Sequence, residues 1–282
     1  MVKAGVVGLG QMGGGAAVCL ARAGRPLSVY DIDPEAWRRL DDGHLLPPVA
    51  ANAAEVARNA DVVVVLVVEA AQVWSVLEGP EGLLAGARPG LVVVVASTIA
   101  MTELDAMRAR AAETGVIVVD CGVTCPPGGH AHKRIVGMVG ADPEVFDRVR
   151  EVLEDFTQAA LLMGGPGAGM ATKIVRNMMF YSTWLAAAEA VQLAVQTGID
   201  VAKMAEINHL SEADASGPTM WLRSWAARDA VPGGATARFE HVRGVMLKDL
   251  DAADALREKH AIELPLIALM RDAADKIAAP WK

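Results

Sequence analysis

Residues 1–15 read Met1-Val2-Lys3-Ala4-Gly5-Val6-Val7-Gly8-Leu9-Gly10-Gln11-Met12-Gly13-Gly14-Gly15. Val2–Val7 is apolar apart from Lys3 and has the length of a buried strand. Gly8, Gly10 and Gly13 give the spacing G-x-G-x-x-G, with Gln11 and Met12 between the last two. An apolar, proline-free stretch of helical length follows over Ala16–Ala23, and Asp31 closes the next apolar run, Leu27–Tyr30, twenty-three residues after Gly8. Strand, glycine turn, helix, strand and acid in this order predict a dinucleotide-binding βαβ unit. Gly8 serves the tight turn, Gly10 lets backbone approach a pyrophosphate, and Gly13 lets the helix pack closely on the sheet. The free N–H groups at that helix start attract a diphosphate. Asp31 can accept hydrogen bonds from a ribose and would repel a 2′-phosphate. With Ile32 and Asp33 after it, no arginine directly follows Asp31, so NAD is expected over NADP, although Arg38 and Arg39 lie close by.

Beyond this unit, strands and helices alternate. Asp33 and Pro34 read as the start of a helix reaching Leu40. His44–Ala51, with Pro47-Pro48, reads as a loop, and Asn52 as the cap of a helix over Ala53–Arg58. Val62–Val68 is the strongest strand signal, a β-branched run expected to be buried on both faces as in a parallel sheet. Further strands are expected at Leu91–Val95, Val116–Val119 ending in Asp120, Ile135–Val139 and Ala160–Met163. Helices are expected at Gln72–Leu77, Thr102–Thr114 and Glu144–Phe156. The pattern predicts a doubly wound α/β domain over residues 1–163. From Ala168 to Gln196 there is neither glycine nor proline, which predicts one helix about 40 Å long over most of residues 164–197. Residues 198–282 read as helical: Val201–Glu212, Met220–Arg228, Ala235–His260 and Pro265–Ile277, with Arg238–His241 open to a loop reading. The fold class is thus α/β, an N-terminal domain joined by a long helix to an all-helical C-terminal domain, with the site expected at their junction.

The chain has 282 residues, 53% hydrophobic, with a net charge of -8 and a pI near 5.3. It carries no basic tail or stripe, which argues against nucleic acid and anionic membranes as partners. Cys19, Cys121 and Cys125 form neither a disulfide framework nor a metal-spaced set, and the six histidines make no metal motif, so no metal is expected. The chain passes straight into a strand, with no preceding signal segment and no apolar run long enough to span a bilayer, so a cytoplasmic location is expected.

The Gly8–Gly13 turn, the pair Ser97-Thr98, Asp120-Cys121-Gly122-Val123-Thr124, the segment Gly165–Asn177 (GPGAGMATKIVRN) and Lys248-Asp249-Leu250 occur in an order that resembles the β-hydroxyacid dehydrogenases. The resemblance covers almost the whole chain and is most specific at Gly167-x-Gly169-x-x-x-Lys173-x-x-x-Asn177. It implies a Rossmann-type N-terminal domain, a helical C-terminal domain, homodimers or homotetramers, and NAD- or NADP-dependent interconversion of small 3-hydroxy acids with their carbonyls. It puts the catalytic lysine at Lys173 and the family's asparagine at Asn177. The residues agree chemically. Lys173 and Asn177 are i and i+4 on one helical face. A partly desolvated lysine can exchange a proton with a carbonyl oxygen, and Asn177 can orient that oxygen. The resemblance also puts Lys248 near nicotinamide and substrate, where the ordinary alternative is an ion pair with Asp251 or Asp254. It puts Met12 by the nicotinamide, and Leu66, Val67 and Thr98 along strand ends that border a bound dinucleotide.

One loop departs from the family's usual D-A-P-V-S-G-G. Here residues 120–126 read Asp-Cys-Gly-Val-Thr-Cys-Pro. In the family this segment holds the substrate carboxylate. Thr124 keeps the hydroxyl, Cys125 keeps an N–H but adds a side chain, and Pro126 has no N–H. The lost donor is worth roughly 1.5–3 kcal/mol to an anion, and His130, His132, Lys133 or Arg134 could replace it. Lys133 stands where the family prefers glycine. A nucleophilic or redox role for Cys121 and Cys125 lacks a positioned base. Trp221, Arg223 and Trp225 mark either a helix contact or a bulkier pocket. Two other readings stay open: the same chemistry on an alcohol, carbonyl or imine without a carboxylate, and a protein that binds dinucleotide without turnover.

Overall fold

The computed structural model describes residues 1–40, 49–196, 198–212, 234–260 and 265–278. The predicted helix Met220–Arg228 with Trp221, Arg223 and Trp225, and the Pro47-Pro48 part of the predicted loop, lie outside the described residues. The chain divides into two compact units, Met1–Lys173 and Ile174–Lys282.

The first unit is built on one seven-stranded sheet: β1 (Ala4–Val7), β2 (Leu27–Tyr30), β3 (Val62–Val65), β4 (Val92–Val95), β5 (Ile117–Thr124), β6 (Ile135–Gly140) and β7 (Thr157–Gly164). The spatial order is β2-β1-β3-β4-β5-β6-β7. All neighbours are parallel except β5 and β6, which form an antiparallel pair. The sheet is therefore mixed, a Rossmann-like domain with an appended hairpin. Helices α1 (Gln11–Arg22), α2 (Ala53–Asn59), α3 (Ala70–Leu77), α4 (Leu83–Gly86), α5 (Met101–Ala112) and α6 (Pro143–Phe156) connect the strands. The valines of β3 and β4 are all buried, as a strand run without alternation requires when both faces are covered. Helix α6 buries Phe146, Val149, Val152, Leu153 and Phe156, the spacing of one apolar helical face. Asn52 caps α2, its side-chain oxygen accepting from Glu55 N–H at 2.9 Å.

Several boundaries differ from expectation. The predicted helix Asp33–Leu40 is only a 3-10 turn over Trp37–Arg39. Asp33 accepts from Glu35 N–H as a helix cap does, but the backbone bonds that follow, from Ala36 to Asp33, Arg38 to Glu35 and Leu40 to Trp37, are of the i to i−3 kind that makes turns and 3-10 helix. Strand β3 stops at Val65, where its neighbour β1 ends and Gly8 turns away. Strand β5 runs on past Asp120 to Thr124 because β6 supplies an antiparallel ladder for Cys121–Thr124. Cys121 is consequently a buried strand residue, not a loop residue.

Helix α7 (Ala168–Gln196) starts in the first unit. The second unit is helical throughout its described residues, with the rest of α7, α8 (Val201–Glu212), α9 (Gly234–His260), α10 (Pro265–Asp272) and α11 (Ala274–Ala278). The segment Arg238–His241, left open between helix and loop, lies within α9. The expected single helix Pro265–Ile277 tightens at Ala273 and becomes α10 and α11. On α7, Tyr181, Trp184 and Leu185 are buried, whereas Val175 and Met179 are exposed. Phe180, Tyr181 and Trp184 pack with ring centroids 5.1–5.9 Å apart. Among the described residues no helix is long and apolar enough to cross a membrane.

Candidate active site

The parallel register aligns Val7, Val65, Val95 and Asp120 across four neighbouring strands. The residues that follow them leave the sheet along one edge. These are the Gly8–Gly13 turn, Leu66 and Val67, and Ser97 and Thr98, while β5 runs on past Asp120 as Cys121–Thr124, paired with β6. The carboxyl ends of parallel strands are where open α/β sheets bind ligands.

Gly8 has φ +90, and a Cβ there would lie 2.7 Å from the Leu66 carbonyl oxygen. A Cβ on Gly13 would collide with the Gly8 carbonyl oxygen, while around Gly10 there is nothing within 4 Å. The turn is thus closed from below and open above Gly10, the space that a pyrophosphate over the start of α1 needs. Gln11 opens α1 at the surface, and Met12 packs against the core under the turn. Asp31 accepts from Leu9 N–H at 2.5 Å and from Asp33 N–H at 2.8 Å, which ties the end of β2 to the turn. Arg39 pairs with Asp33 at 2.6 Å and Arg38 with Glu35 at 2.7 Å. Ser97 Oγ donates to the Val67 carbonyl at 2.6 Å, joining the ends of β3 and β4 beside Thr98. The residues expected to hold a dinucleotide therefore fit one.

Lys173 reaches the same edge. A Cβ on Gly122 would collide with Lys173 Cβ and lie 2.9 Å from its Cγ, so the lysine stem rests directly on β5. Thr124, the expected substrate hydroxyl, is on the same face of that strand two residues on. After β5 the chain turns away. Gly129 N–H donates to the Pro126 carbonyl at 3.0 Å, and Gly128 has φ +73, which makes Pro126–Gly129 a type II turn with Pro127 and Gly128 at its corners. Cys125 packs against the core and near Gly129. Burial raises its thiol pKa, opposed by Arg134. Two of the four candidate replacement groups, His130 and His132, sit in a 3-10 turn docked along α1, and Lys133 and Arg134 follow it. Cys19 Sγ faces the His130 carbonyl at 3.8 Å, and Arg22 donates to the Ala131 carbonyl at 2.9 Å. Lys133 follows with φ 57, the left-handed region in which a glycine carries no Cβ penalty. Among the described residues no group of His, Cys, Asp and Glu is arranged to hold a metal ion.

The second unit carries the other expected residues in a buried polar cluster. Asn177 is 3% exposed and Asp249 4%. Asn177 Nδ2 donates to Asp249 Oδ2 at 2.6 Å, Tyr181 O–H donates to the same oxygen at 3.1 Å, and Arg176 donates to Asn177 Oδ1 at 3.1 Å. Lys248 Nζ lies 3.4 Å from Asp249 Oδ1. Arg271 pairs with Asp251, one of the two carboxylates considered for Lys248. Burial, then the Asp249 charge, pushes the Tyr181 hydroxyl well above its ordinary pKa, so it stays a donor. From the sequence Tyr181 carried no site role, and Asp249 stood only as part of the Lys248-Asp249-Leu250 segment. The signal available was spacing, since Tyr181 is i+4 from Asn177 on α7.

Residues 3–165 match the family model of the NAD binding domain of 6-phosphogluconate dehydrogenase. Residues 167–280 match the model described as NAD-binding of NADP-dependent 3-hydroxyisobutyrate dehydrogenase. An uncharacterised oxidoreductase of Mycobacterium tuberculosis is 33% identical over 96% of this chain and 92% of its own length. A NAD-dependent L-serine dehydrogenase of Pseudomonas aeruginosa is 31% identical over 95% and 90% respectively. The crystal structure of 3-hydroxyisobutyrate dehydrogenase from Salmonella typhimurium superposes with a TM-score of 0.85 at 27% identity, covering 98% of this chain and 93% of that one.

Proposed function

The chain belongs to the β-hydroxyacid dehydrogenase family of NAD(P)-binding oxidoreductases, and from that premise we propose that it interconverts a small 3-hydroxy acid and its carbonyl with NAD. Lys173 is the general acid/base. The observation that carries this reading is the seat of the Lys173 stem on Gly122, at the sheet edge that also bears the open glycine turn. Gly8, Gly10, Gln11, Met12 and Gly13 hold the pyrophosphate side of the dinucleotide, Asp31 its ribose, and Leu66, Val67 and Thr98 line its path. The nicotinamide, when bound, supplies the hydride acceptor or donor. Lys173 takes the hydroxyl proton during oxidation and returns it during reduction. Asn177, its amide oriented by Asp249 and Arg176, holds the reacting oxygen, and Lys248 assists at the substrate. Thr124 and the backbone of Cys125 hold the carboxylate, with Pro126 contributing shape but no donor. Residues 1–163 then form the cofactor domain, 164–197 the connecting helix and 198–282 the helical domain, in a homodimer or homotetramer. NAD is favoured because a carboxylate at Asp31 would repel a 2′-phosphate, while Arg38 and Arg39 are engaged by Glu35 and Asp33.

The test is initial rates with NAD and NADP on 3-hydroxyisobutyrate, L-serine, 2-hydroxy acids and carboxylate-free alcohols. Lys173→Ala should lower kcat about 10²–10⁴-fold on the substrate that turns over. Wild-type turnover by that variant would remove the assignment. A second reading has one observation behind it. The type II turn commits Pro126 and Gly129 to each other, so the loop offers fewer N–H donors than a carboxylate wants. Turnover confined to carboxylate-free alcohols would select that reading and keep the same mechanism.

A further inference from the structure

Asp120 is fully buried, yet it bears a carboxylate. It lies on β5 one place before Cys121, and because strand side chains alternate, Asp120, Gly122 and Thr124 share one face. Cys121 and Val123 take the other face and enter the core. The Asp120 carboxylate is fully engaged. Oδ1 accepts from Gly167 N–H at 2.7 Å, Oδ2 accepts from Met170 N–H at 2.7 Å, and Arg108 donates to Oδ1 at 2.5 Å. Gly167 and Met170 flank the start of α7. Asp120 therefore satisfies N–H groups that a helix start leaves unpaired, from another element of the fold, and its charge suits the positive end of the helix.

The close fit around it is built from absent side chains. A Cβ on Gly140 would collide with Asp120 Oδ2 and lie 2.7 Å from Gly169 N. A Cβ on Gly169 would collide with the Met138 carbonyl oxygen. Helix α7 thus begins in backbone contact with β6 and under the charge of β5. Lys173 is one turn beyond Met170, on the same helical face, and its stem meets Gly122 two residues beyond Asp120.

We propose that Asp120 and Gly122 are positioning residues for Lys173. The buried carboxylate pins the first turn of α7, and the missing side chain at 122 fixes the depth at which the lysine rests. This rests on the reading of Lys173 as the acid/base. Neither residue touches the reacting atoms. Each sets where the ammonium stands, and a misplacement of about 1 Å can cost on the order of 10²-fold in rate.

The experiment compares Gly122→Ala, Asp120→Asn and Lys173→Ala with the wild type, using NAD with 3-hydroxyisobutyrate and with L-serine. It also uses NADH titration by fluorescence and amide hydrogen exchange. Gly122→Ala should keep its NADH affinity, lose about tenfold or more in kcat, and move the kcat pH profile by about half a unit or more. Asp120→Asn keeps the volume but turns an amide donor toward an N–H, so it should lose kcat similarly and raise exchange at Gly167 and Met170. Folded Gly122→Ala with wild-type kcat and pH profile would overturn the proposal, since a purely structural role lowers only stability. Lys173→Ala with full turnover would instead overturn the lysine reading beneath it. If neither positioning variant folds, the wild-type protein still decides. Gly167 and Met170 amides should be protected as strongly as Val92–Val95 of β4, and their free exchange would overturn the proposal.

Discussion

Cys121 and Cys125 look alike in the sequence and differ in the fold. Cys121 is completely buried on β5, and burial followed by the nearby Asp120 charge pushes its thiol up to about 12. At pH 8 the thiolate that reacts with alkylating agents is then strongly disfavoured. Native protein treated with iodoacetamide at pH 8 should leave Cys121 unmodified by mass spectrometry, and modification should follow denaturation. Rapid native labelling of Cys121 would mean that the β5–β6 hairpin opens. Lys133 is a second residue whose meaning is conformational. At φ 57 it occupies a backbone position suited to glycine, so its distinctive property is the turn it makes after His130–His132, and its charge comes second. The acid at position 31 is expected from its spacing to meet a ribose. Its bond to Leu9 N–H at 2.5 Å was not readable, because it joins residues on two separate elements.

At the scale of elements, the glycine turn and the first turn of α7 meet at one sheet edge for different reasons. The glycine turn is local: its spacing is written within six residues, and its conformation follows from φ +90 at Gly8 and from the contact between Gly13 and the Gly8 carbonyl. Gly13→Ala should therefore open the turn. We expect NADH affinity to fall at least about tenfold, and stability to fall by about 1–3 kcal/mol from overpacking, measured by fluorescence titration and by urea unfolding. Unchanged NADH affinity would mean that the nucleotide does not use this turn. The start of α7 is set by contacts far apart in sequence, since Asp120 precedes Gly167 by 47 residues. Helix α7 itself was legible from a run without glycine or proline. Its anchoring was not, because the anchor is supplied by a strand and a hairpin that the helix does not adjoin in the chain. The short Trp37–Arg39 turn is the converse case. The Asp33-Pro34 start signal predicted a helix there, and the cap bond from Glu35 N–H to Asp33 is present, but the backbone bonds beyond it close i to i−3 turns.

For the whole molecule, the test is what a bound dinucleotide does to unfolding. A ligand that binds only the folded state adds about 2.7 kcal/mol at 100 times its Kd. For a chain of this size that corresponds to roughly 5–10 °C in Tm. NADH at that saturation should raise Tm by this amount, and NADPH at equal concentration by less than half of it. Equal shifts from the two would mean that Asp31 does not select against a 2′-phosphate. The charge of -8 fits a protein that takes an anionic cofactor by local N–H groups at a helix start instead of by a basic surface.

By itself the sequence determined the order of the seven strands, the glycine turn, the long helix and the family, because each depends on patterns within short windows or on motifs in fixed order. Tertiary structure alone decided the antiparallel turn-back of β6, which carries β5 on to Thr124. It also decided the Asn177–Tyr181–Asp249 cluster and the seating of Lys173 on Gly122 beneath a helix start held by Asp120. The physical reason is one of range. Dihedral preference and hydrophobic period act between near neighbours in the chain. A buried carboxylate or a missing Cβ gains its meaning only from partners that folding brings within about 3 Å.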